Sequence, residues 1–460
     1  MDHVFRPRIR HLDMYGLIVS MLYYLLRIKI VPIVTGKSVF RVERFKNLKN
    51  RSFGISLAIL NQYVIDMAKR LLLILSLFAL GDIYFFQAFS TVIQGSIWHN
   101  MYWWLDVLLL FGVFTLIFLR RAGYDVQHTA TSLITAFLIV FIPKLLAIPF
   151  LFIEDLTRIF RSFPPRSIFL SEIVLLLGGA MLLLIFFGLT RGRHFYRVRE
   201  EVLSFPDLPE EFDGFKITQL SDIHSGSLSD IKGVRKGIEL ANAQHSDLVL
   251  FTGDLVNNKA SEMEPWISDF NRLKAPAGKF SVLGNHDYGD YVQWESAESK
   301  TSNLNRLKEI HHEMGFKLLL NESIAIEKQG ARISLIGVEN WGKGGFHQYG
   351  DLAKATLGLA KDTFKILMSH DPSHWDHVTL GHDQHVHLTL AGHTHGMQFG
   401  IELFGFKWSP IQYFYKQWAG LYQKEGKYLY VNRGFGFHGL KGRVGVWPEI
   451  TVITLKKSIT

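Results

Sequence analysis

The chain contains no cysteine. That absence excludes disulfides, thiolate metal sites and a cysteine nucleophile. Internal repeats and low-complexity segments are missing as well. The C-terminal part has no basic stripe of the kind that follows a nucleic-acid backbone, so no nucleic-acid partner is expected. The formal net charge is nevertheless +9. Many of the basic residues sit beside long apolar runs, which directs that charge toward anionic lipid.

Apolar residues make up 48% of the 460-residue chain, and four runs stand out: residues 71–93, 101–119, 132–153 and 168–189. Each is close to the length of about 20 residues that crosses a bilayer. Lys69 and Arg70 precede the first run, Arg120 and Arg121 follow the second, and Arg191, Arg193, Arg197 and Arg199 follow the fourth. The connection between the first two runs has no Lys or Arg, whereas Arg158, Arg161 and Arg166 lie between the last two. The positive-inside rule then reads as a multi-pass protein of the inner (cytoplasmic) membrane, with both ends and the C-terminal domain in the cytoplasm. Asp82 and Lys144 fall at similar depth in the first and third runs. An unpaired charge there is costly, so the two are expected to form an ion pair. Upstream, MYGLIVSMLYYLL is short for a span and suits an interfacial helix. Met67, followed by Ala-Lys-Arg and an apolar run, looks like a natural start. The expected division is a basic segment over 1–66, a four-span membrane domain over 67–192 and a C-terminal domain over 193–460.

After residue 189 the pattern changes. Short β-like runs (FKITQL, DLVLF, KFSVL, ISLIGV, FKILMS, VHLTLA, YLYVN, TVITL) alternate with helical stretches near 231–243 and 304–314. That alternation predicts an α/β sandwich. Five of the runs lead into polar turns: SDIHSGS, TGDLVNN, GNHDYGD, SHDPSHW and AGHTHGMQ. Ligands of α/β sheets bind outside the carboxyl ends of strands, so these tips are expected to converge.

The residues so delivered are Asp222, His224, Asp254, Asn285, His286, His370, His393 and His395. Carboxylate, amide and imidazole without thiolate suit Mn, Fe or Zn rather than Cu(I) or an iron–sulfur cluster. The set is too large for one tetrahedral ion. It fits two ions sharing a bridge, which stand about 3.5–4 Å apart in enzymes that cleave phosphate esters. Asp254, the lone carboxylate of its turn, suits the bridge. His393 and His395, one residue apart, can point in diverging directions toward different ions. His374, His377, His382, His385 and His387 crowd the same region and read as surface or supporting residues, with His374 the nearest to a substrate.

In this order SDIH, GD, GNHD, SH and GHTH resemble the calcineurin-like metallophosphoesterases, over about residues 194 to 455. The phrases SHDPSHW, AGHTHGMQFG, KWSPIQYFY and RGFGFHG are similar to a membrane-attached bacterial branch of that superfamily. Met397 departs from the branch, where a second glycine is commoner. The resemblance implies a four-layer αββα sandwich preceded by a transmembrane α-helical bundle. It implies that Asp222, His224, Asp254 and His395 hold one ion and Asp254, Asn285, His370 and His393 the other. His286 would hold no metal and would face the scissile phosphate, with Asp287 orienting it.

Residues and resemblance together predict a metal-dependent hydrolase of phosphate monoesters, diesters or pyrophosphates. A hydroxide between two divalent cations would attack phosphorus in line, and protonated His286 would assist the leaving oxygen. The apolar runs point to a substrate at the membrane, a phospholipid or a lipid-linked pyrophosphate, with a soluble phosphodiester as the other reading. Residues 407–418 (KWSPIQYFYKQW) either rest on the lipid surface or pack as a structural loop. The resemblance also admits a UDP-acyl-sugar pyrophosphate hydrolase of lipid A-type synthesis. The competing class is a non-catalytic membrane scaffold stabilised by metal. His286 argues against it, since a structural site has no use for such a residue.

Overall fold

The computed structural model describes residues 53–122, 124, 127–343 and 346–458. Within these, residues 53–184 form one compact unit and residues 185–458 another. The interfacial helix expected near residues 14–26 lies outside the described residues.

The first unit is helical: α1 (Phe53–Val92), α2 (Ser96–Arg121), α3 (Gln127–Leu145), α4 (Ala147–Ile159) and α5 (Ile168–Thr190), whose last turns from Ile185 belong to the second unit. The helix α1 runs unbroken through Met67, so the first apolar run is the later part of a longer helix. Among the described residues, three stretches are long and apolar enough to cross a membrane: Leu75–Val92, Thr135–Ile159 and Ile168–Thr190. The second run is helical as α2. The third run is broken at Leu146, just after Pro143. Pro143 cannot donate to the carbonyl of residue 139, and at Leu146 the N–H turns to the Pro143 carbonyl (3.2 Å) before α4 resumes.

Asp82 and Lys144 do meet: the Lys144 ammonium lies 2.5 Å from Asp82 Oδ1. Asp106 from α2, which was not expected to take part, accepts from the same ammonium at 2.7 and 3.0 Å. The Tyr102 hydroxyl donates to Asp82 at 2.5 Å.

The second unit is built on two six-stranded sheets. In the first, β1 (Arg197–Phe205), β2 (Lys216–Leu220), β3 (Leu248–Phe251), β4 (Lys279–Ser281), β5 (Lys317–Leu318) and β14 (Glu449–Lys457) stand in the order β1-β14-β2-β3-β4-β5. In the second, β6 (Glu322–Lys328), β7 (Ala331–Gly337), β8 (Lys365–Met368), β9 (Leu388–Ala391), β12 (Gly420–Lys424) and β13 (Lys427–Val431) stand in the order β12-β13-β9-β8-β7-β6. Strands β2, β3 and β4 run parallel, as do β7, β8, β9 and β13. A separate hairpin joins β10 (Ile401–Leu403) to β11 (Phe406–Trp408).

The inner strands β3, β8 and β9 are buried along their whole length because both faces of each sheet are covered there, whereas the outer strands β1, β6 and β12 are partly exposed. Ile217, Leu250 and Ile453 of one sheet meet Leu335, Ile366 and Leu388 of the other in the inter-sheet core. Val249 and Phe251 face outward, onto Val234 and Ile238 of α6 (Ile231–Asn242) and Leu307 and Ile310 of α7 (Ala297–Glu313). Ile336 and Leu367 of the second sheet pack under the short helix Leu352–Ala355. These are the four αββα layers, the outer one on the second sheet being thin.

Candidate metal centre

The parallel strands bring their carboxyl ends to one edge, and each candidate lies on a turn that leaves such an end. Asp222 and His224 follow β2, Asp254 follows β3, and Asn285, His286 and Asp287 follow β4. His370 follows β8, and His393 and His395 follow β9. Asp222, His224, Asp254, His393 and His395 have φ of 52°, 46°, 59°, 71° and 50°. That left-handed region costs a non-glycine residue roughly 1–2 kcal/mol, so the surrounding structure must impose it. The turns brace one another: the Asp222 N–H donates to Gly253 O (2.9 Å) and the His224 N–H to Asp254 O (3.1 Å). A Cβ on Gly392 would stand 1.9 Å from Ser221 Oγ and 2.2 Å from Asp222 Oδ2, so the chain can pass there only as glycine.

Two groups of donor atoms result, each within 4.8 Å: Asp222, His224, Asp254 and His395; and Asp254, His370 and His393. Asp254 belongs to both. Its Oδ2 is 3.1 Å from His370 Nε2 and 3.5 Å from His224 Nε2. His395 Nε2 stands 3.1 Å from Asp222 Oδ1 and 3.0 Å from His224 Nε2. His393 Nδ1 lies 3.2 Å from His370 Nε2. The Asn285 turn joins at Asp254, whose Oδ1 accepts from the His286 N–H at 2.9 Å. The Asn285 amide donates to the Tyr291 hydroxyl at 2.8 Å, while its Oδ1 is buried without a hydrogen-bond donor.

The ring nitrogens that face away from the cluster are held. His370 Nδ1 pairs with the Thr252 carbonyl (2.8 Å), His224 Nδ1 with Asn257 Oδ1 (3.1 Å) and His393 Nε2 with the Tyr415 hydroxyl (2.8 Å). Such partners fix ring orientation and leave the other nitrogen for a ligand. Burial pushes the His224 and His393 imidazoles below their ordinary range, so they are neutral. Burial also opposes charge on Asp254, but the surrounding imidazoles, His370 foremost, hold its carboxyl well below the usual range. His370 is the exception: burial works against its proton, yet Asp254 outweighs burial and holds it up at about 10. Anionic carboxylates, the neutral His224 and His393 imidazoles and an amide oxygen lacking a donor are in the state that binds a cation, and at His370 a cation would replace the proton that Asp254 holds there.

His286 and Asp287 take different places from those expected of them together. His286 is half-buried, and its Nδ1 sits 2.7 Å from the Asn257 carbonyl. The Asp287 carboxylate makes no hydrogen bond to that ring. It accepts instead from the backbone N–H groups of Asp254 (2.9 Å), Leu255 (2.8 Å), Val256 (3.3 Å) and Gly284 (2.8 Å). Asp287 therefore ties together the two turns that carry Asp254 and Asn285, and Asn257 orients His286. Burial and the Asp254 charge push the Asp287 carboxyl up to about 7, against the pull of those amides.

Two neighbours were not among the candidates drawn from the sequence, although the phrase RGFGFHG contains one of them. His438, in RGFGFHG, stacks on His224 at 4.7 Å and meets His286 edge-on at 4.5 Å. Arg443 is fully buried behind His395, 3.4 Å from its Nδ1, and donates to the Gly436 carbonyl at 2.6 and 2.8 Å. Among the remaining histidines, His377 and His385 are exposed and His382 half-exposed. His387 is buried against Asp207. His374, expected to lie nearest a substrate, is wholly buried under Trp341 with Nδ1 on Ser369 Oγ. Residues 407–418 are in large part a structural loop. Ile411 and Trp418 are buried, and Tyr415 reaches His393. Met397 takes φ 53°, where the branch more often has glycine, and packs its side chain against the Ile411–Trp418 cluster.

Two family models match the chain. Residues 68–193 match "Probable Calcineurin-like phosphoesterase, transmembrane domain", and residues 215–397 match "Calcineurin-like phosphoesterase". The metallophosphoesterase YkuE of Bacillus subtilis is 30% identical over 269 residues, covering 58% of this chain and 87% of that protein. The transmembrane protein with metallophosphoesterase domain of Danio rerio is 27% identical over 280 residues, covering 59% of this chain and 60% of that protein. A metallophosphoesterase of Aquifex aeolicus is 26% identical and is covered over 93% of its length. With these matches over both units, the chain belongs to the calcineurin-like metallophosphoesterases and is a membrane protein that hydrolyses phosphoester bonds with the help of metal.

Proposed function

We propose that the chain is a dinuclear hydrolase acting on a phosphodiester, phosphomonoester or pyrophosphate at the membrane surface. In this reading Asp222, His224, Asp254 and His395 hold one divalent cation, and Asp254, Asn285, His370 and His393 hold a second. The observation that carries it is Asp254 standing in both donor groups beside an Asn285 carbonyl oxygen that has no donor. Mn, Fe and Zn all suit these donors. When bound, a pair of such cations supplies a nucleophile from water near neutral pH and neutralises charge on the phosphoryl oxygens.

The protein's own groups do the rest. His286, fixed through Nδ1 on the Asn257 carbonyl, keeps Nε2 for the phosphoryl or leaving oxygen. Its task is to donate a hydrogen bond or a proton as the P–O bond breaks, a contribution of about 10²–10⁴-fold. Asp287 keeps the two metal-bearing turns in register. The basic residues at the ends of the apolar helices favour a cytoplasmic site on the inner membrane, and the membrane unit favours a lipid-linked substrate. Release of p-nitrophenol from bis-p-nitrophenyl phosphate by the full chain with added Mn²⁺ tests the chemistry. Loss of that release in Asp254→Ala, together with loss of bound metal by mass spectrometry, is the expected result. A metal-loaded protein with no turnover on phosphoesters sinks the proposal and leaves the scaffold reading.

A further inference from the structure

The hairpin β10–β11 is amphipathic in the wrong sense for water. Its strands pair Ile401 with Trp408, Glu402 with Lys407 and Leu403 with Phe406. Paired residues share a face, so Ile401, Leu403, Phe406 and Trp408 lie on one side and Glu402 and Lys407 on the other. The polar side is the one docked on the body of the unit. Glu402 accepts from Arg199 (2.8 Å) and Arg433 (2.6 Å), and Lys407 donates to the Ala419 carbonyl (2.7 Å). The apolar side looks outward: Ile401 is 48% exposed, Leu403 58%, Phe406 61%, and Phe404 at the tip 98%. Tyr413, Phe414 and Lys416 add exposed aromatic and basic groups beside it. A small hairpin that turns its charges inward and its phenyl rings outward is built for an apolar surrounding.

The chain connectivity says which surrounding. From Ile185 onward the last turns of α5 belong to the same compact unit as the hairpin. There the Gly188 carbonyl accepts from the Arg443 N–H at 3.1 Å, and a Cβ on Gly188 would strike Val444 at 2.8 Å. The next residue, Val444, donates to Gln398 O (2.8 Å) and accepts from the Gly400 N–H (3.0 Å), at the root of β10. The end of a helix apolar enough to cross a bilayer is thus joined to the hairpin through two consecutive residues. A three-residue strand spans roughly 10 Å, which matches the about 5–10 Å to which interfacial segments sink.

We propose that the β10–β11 hairpin dips into the lipid bilayer, with Phe404 leading, as a membrane contact separate from the spanning helices. Both of its ends are tied to the turn that carries His393 and His395. Gln398 closes that turn on one side, and Ser409 Oγ donates to Gly396 O at 2.8 Å on the other. The insertion holds the metal-bearing turn at the lipid–water boundary, where a lipid-linked phosphoester presents its headgroup. This last clause rests on the function proposed above; the insertion itself does not.

The sequence has no cysteine, so Phe404→Cys in the full chain accepts a single environment-sensitive fluorophore. The expected result in phosphatidylethanolamine–phosphatidylglycerol vesicles is a blue-shifted emission that lipids spin-labelled near the headgroup quench. Leu357, 84% exposed on the same unit, gives the control: Leu357→Cys carries a label that stays unshifted and unquenched. Equal behaviour of the two labels overturns the proposal. So does a blue shift that follows protein concentration and ignores the spin-labelled lipid, since that marks a second copy as the occupant. In a second arm, Phe404→Asp is expected to lose about tenfold in turnover of a vesicle-embedded phosphodiester while hydrolysing bis-p-nitrophenyl phosphate at the native rate. Phe404 quenching without any turnover of either substrate leaves the insertion standing and removes the hydrolase reading.

Discussion

Asp254 is the residue on which both donor groups depend, and its surroundings show what its removal does. Its carboxylate lies against His370 and His224 and takes the His286 amide. Asp254→Ala is expected to lose both ions, because the carboxylate common to the two groups is gone, leaving the first with Asp222 alone and the second with imidazoles only. His286 stands in a different relation. It belongs to neither donor group, so His286→Ala is expected to keep its metal, measured by mass spectrometry, while losing about 10²–10⁴-fold in turnover of bis-p-nitrophenyl phosphate. Near-native turnover in that variant would remove the role. At this scale the candidate ligands were legible because Asp, Asn and His at strand ends, beside glycine, have few packing uses. Asn257 and Asp287 were misread or passed over for a physical reason. Their roles are contacts to backbone and ring atoms set by turn conformation, and spacing in the chain does not encode which amide a carboxylate will find. Arg443 went unread in the sequence, and its burial behind His395 is decided wholly by tertiary packing.

The elements that carry the site are short turns, and they are held by few groups. Four backbone N–H groups converge on Asp287. Removing the acceptor leaves buried amides unpaired, each costing about 1–3 kcal/mol. Asp287→Ala is therefore expected to lower the thermal midpoint of the full chain and to weaken metal binding, whereas His286→Ala lowers only turnover. A similar argument applies to Gly392→Ala, whose methyl would collide with Ser221 and Asp222; the expected result is loss of metal from the group that contains Asp222. On α7, His311 is fully buried with both ring nitrogens unpartnered, and burial pushes its pKa down to about 3. Burial likewise pushes His374 down to about 4. Both folded values lie below the ordinary 6.5, so these rings favour the folded state above about pH 6.5 and lose that contribution as pH falls toward 4 and then 3. Each proton taken up only by the unfolded chain removes about 1.4 kcal/mol per pH unit. Melts between pH 7 and pH 4 should show this acid limb, and His311→Leu should make it shallower while leaving the neutral midpoint close to native. An unchanged acid slope in that variant would mean that other groups set it. The strands and crossover helices that place these turns were readable from apolar runs. The hairpin went unread apart from Lys407 and Trp408, at the start of the 407–418 loop, because the side on which Glu402 and Lys407 dock depends on Arg199 and Arg433, far away in sequence.

At the scale of the whole molecule, charge placed inside the membrane unit is handled by a cluster of opposite charges out of water, each member satisfied by the others. In the membrane unit Lys144 holds Asp82 and Asp106 together, with Tyr102 closing the group. The sequence showed Asp82 and Lys144 at matching depth. It also contained Asp106, but three charges on three helices can pair in several ways, and only packing chooses among them. The arrangement makes a specific prediction. Lys144→Met leaves two carboxylates buried without their cation, and breaking a buried pair of this kind costs about 3–5 kcal/mol. Full-length Lys144→Met in detergent should therefore melt well below the native protein and accumulate poorly in membranes. Replacing both carboxylates in the same chain, as Asp82→Asn and Asp106→Asn, should recover most of the loss, because the triad then disappears as a unit instead of being left unbalanced. A native melting temperature in the single variant, or no recovery in the triple one, would show that the three charges do not hold the helices together.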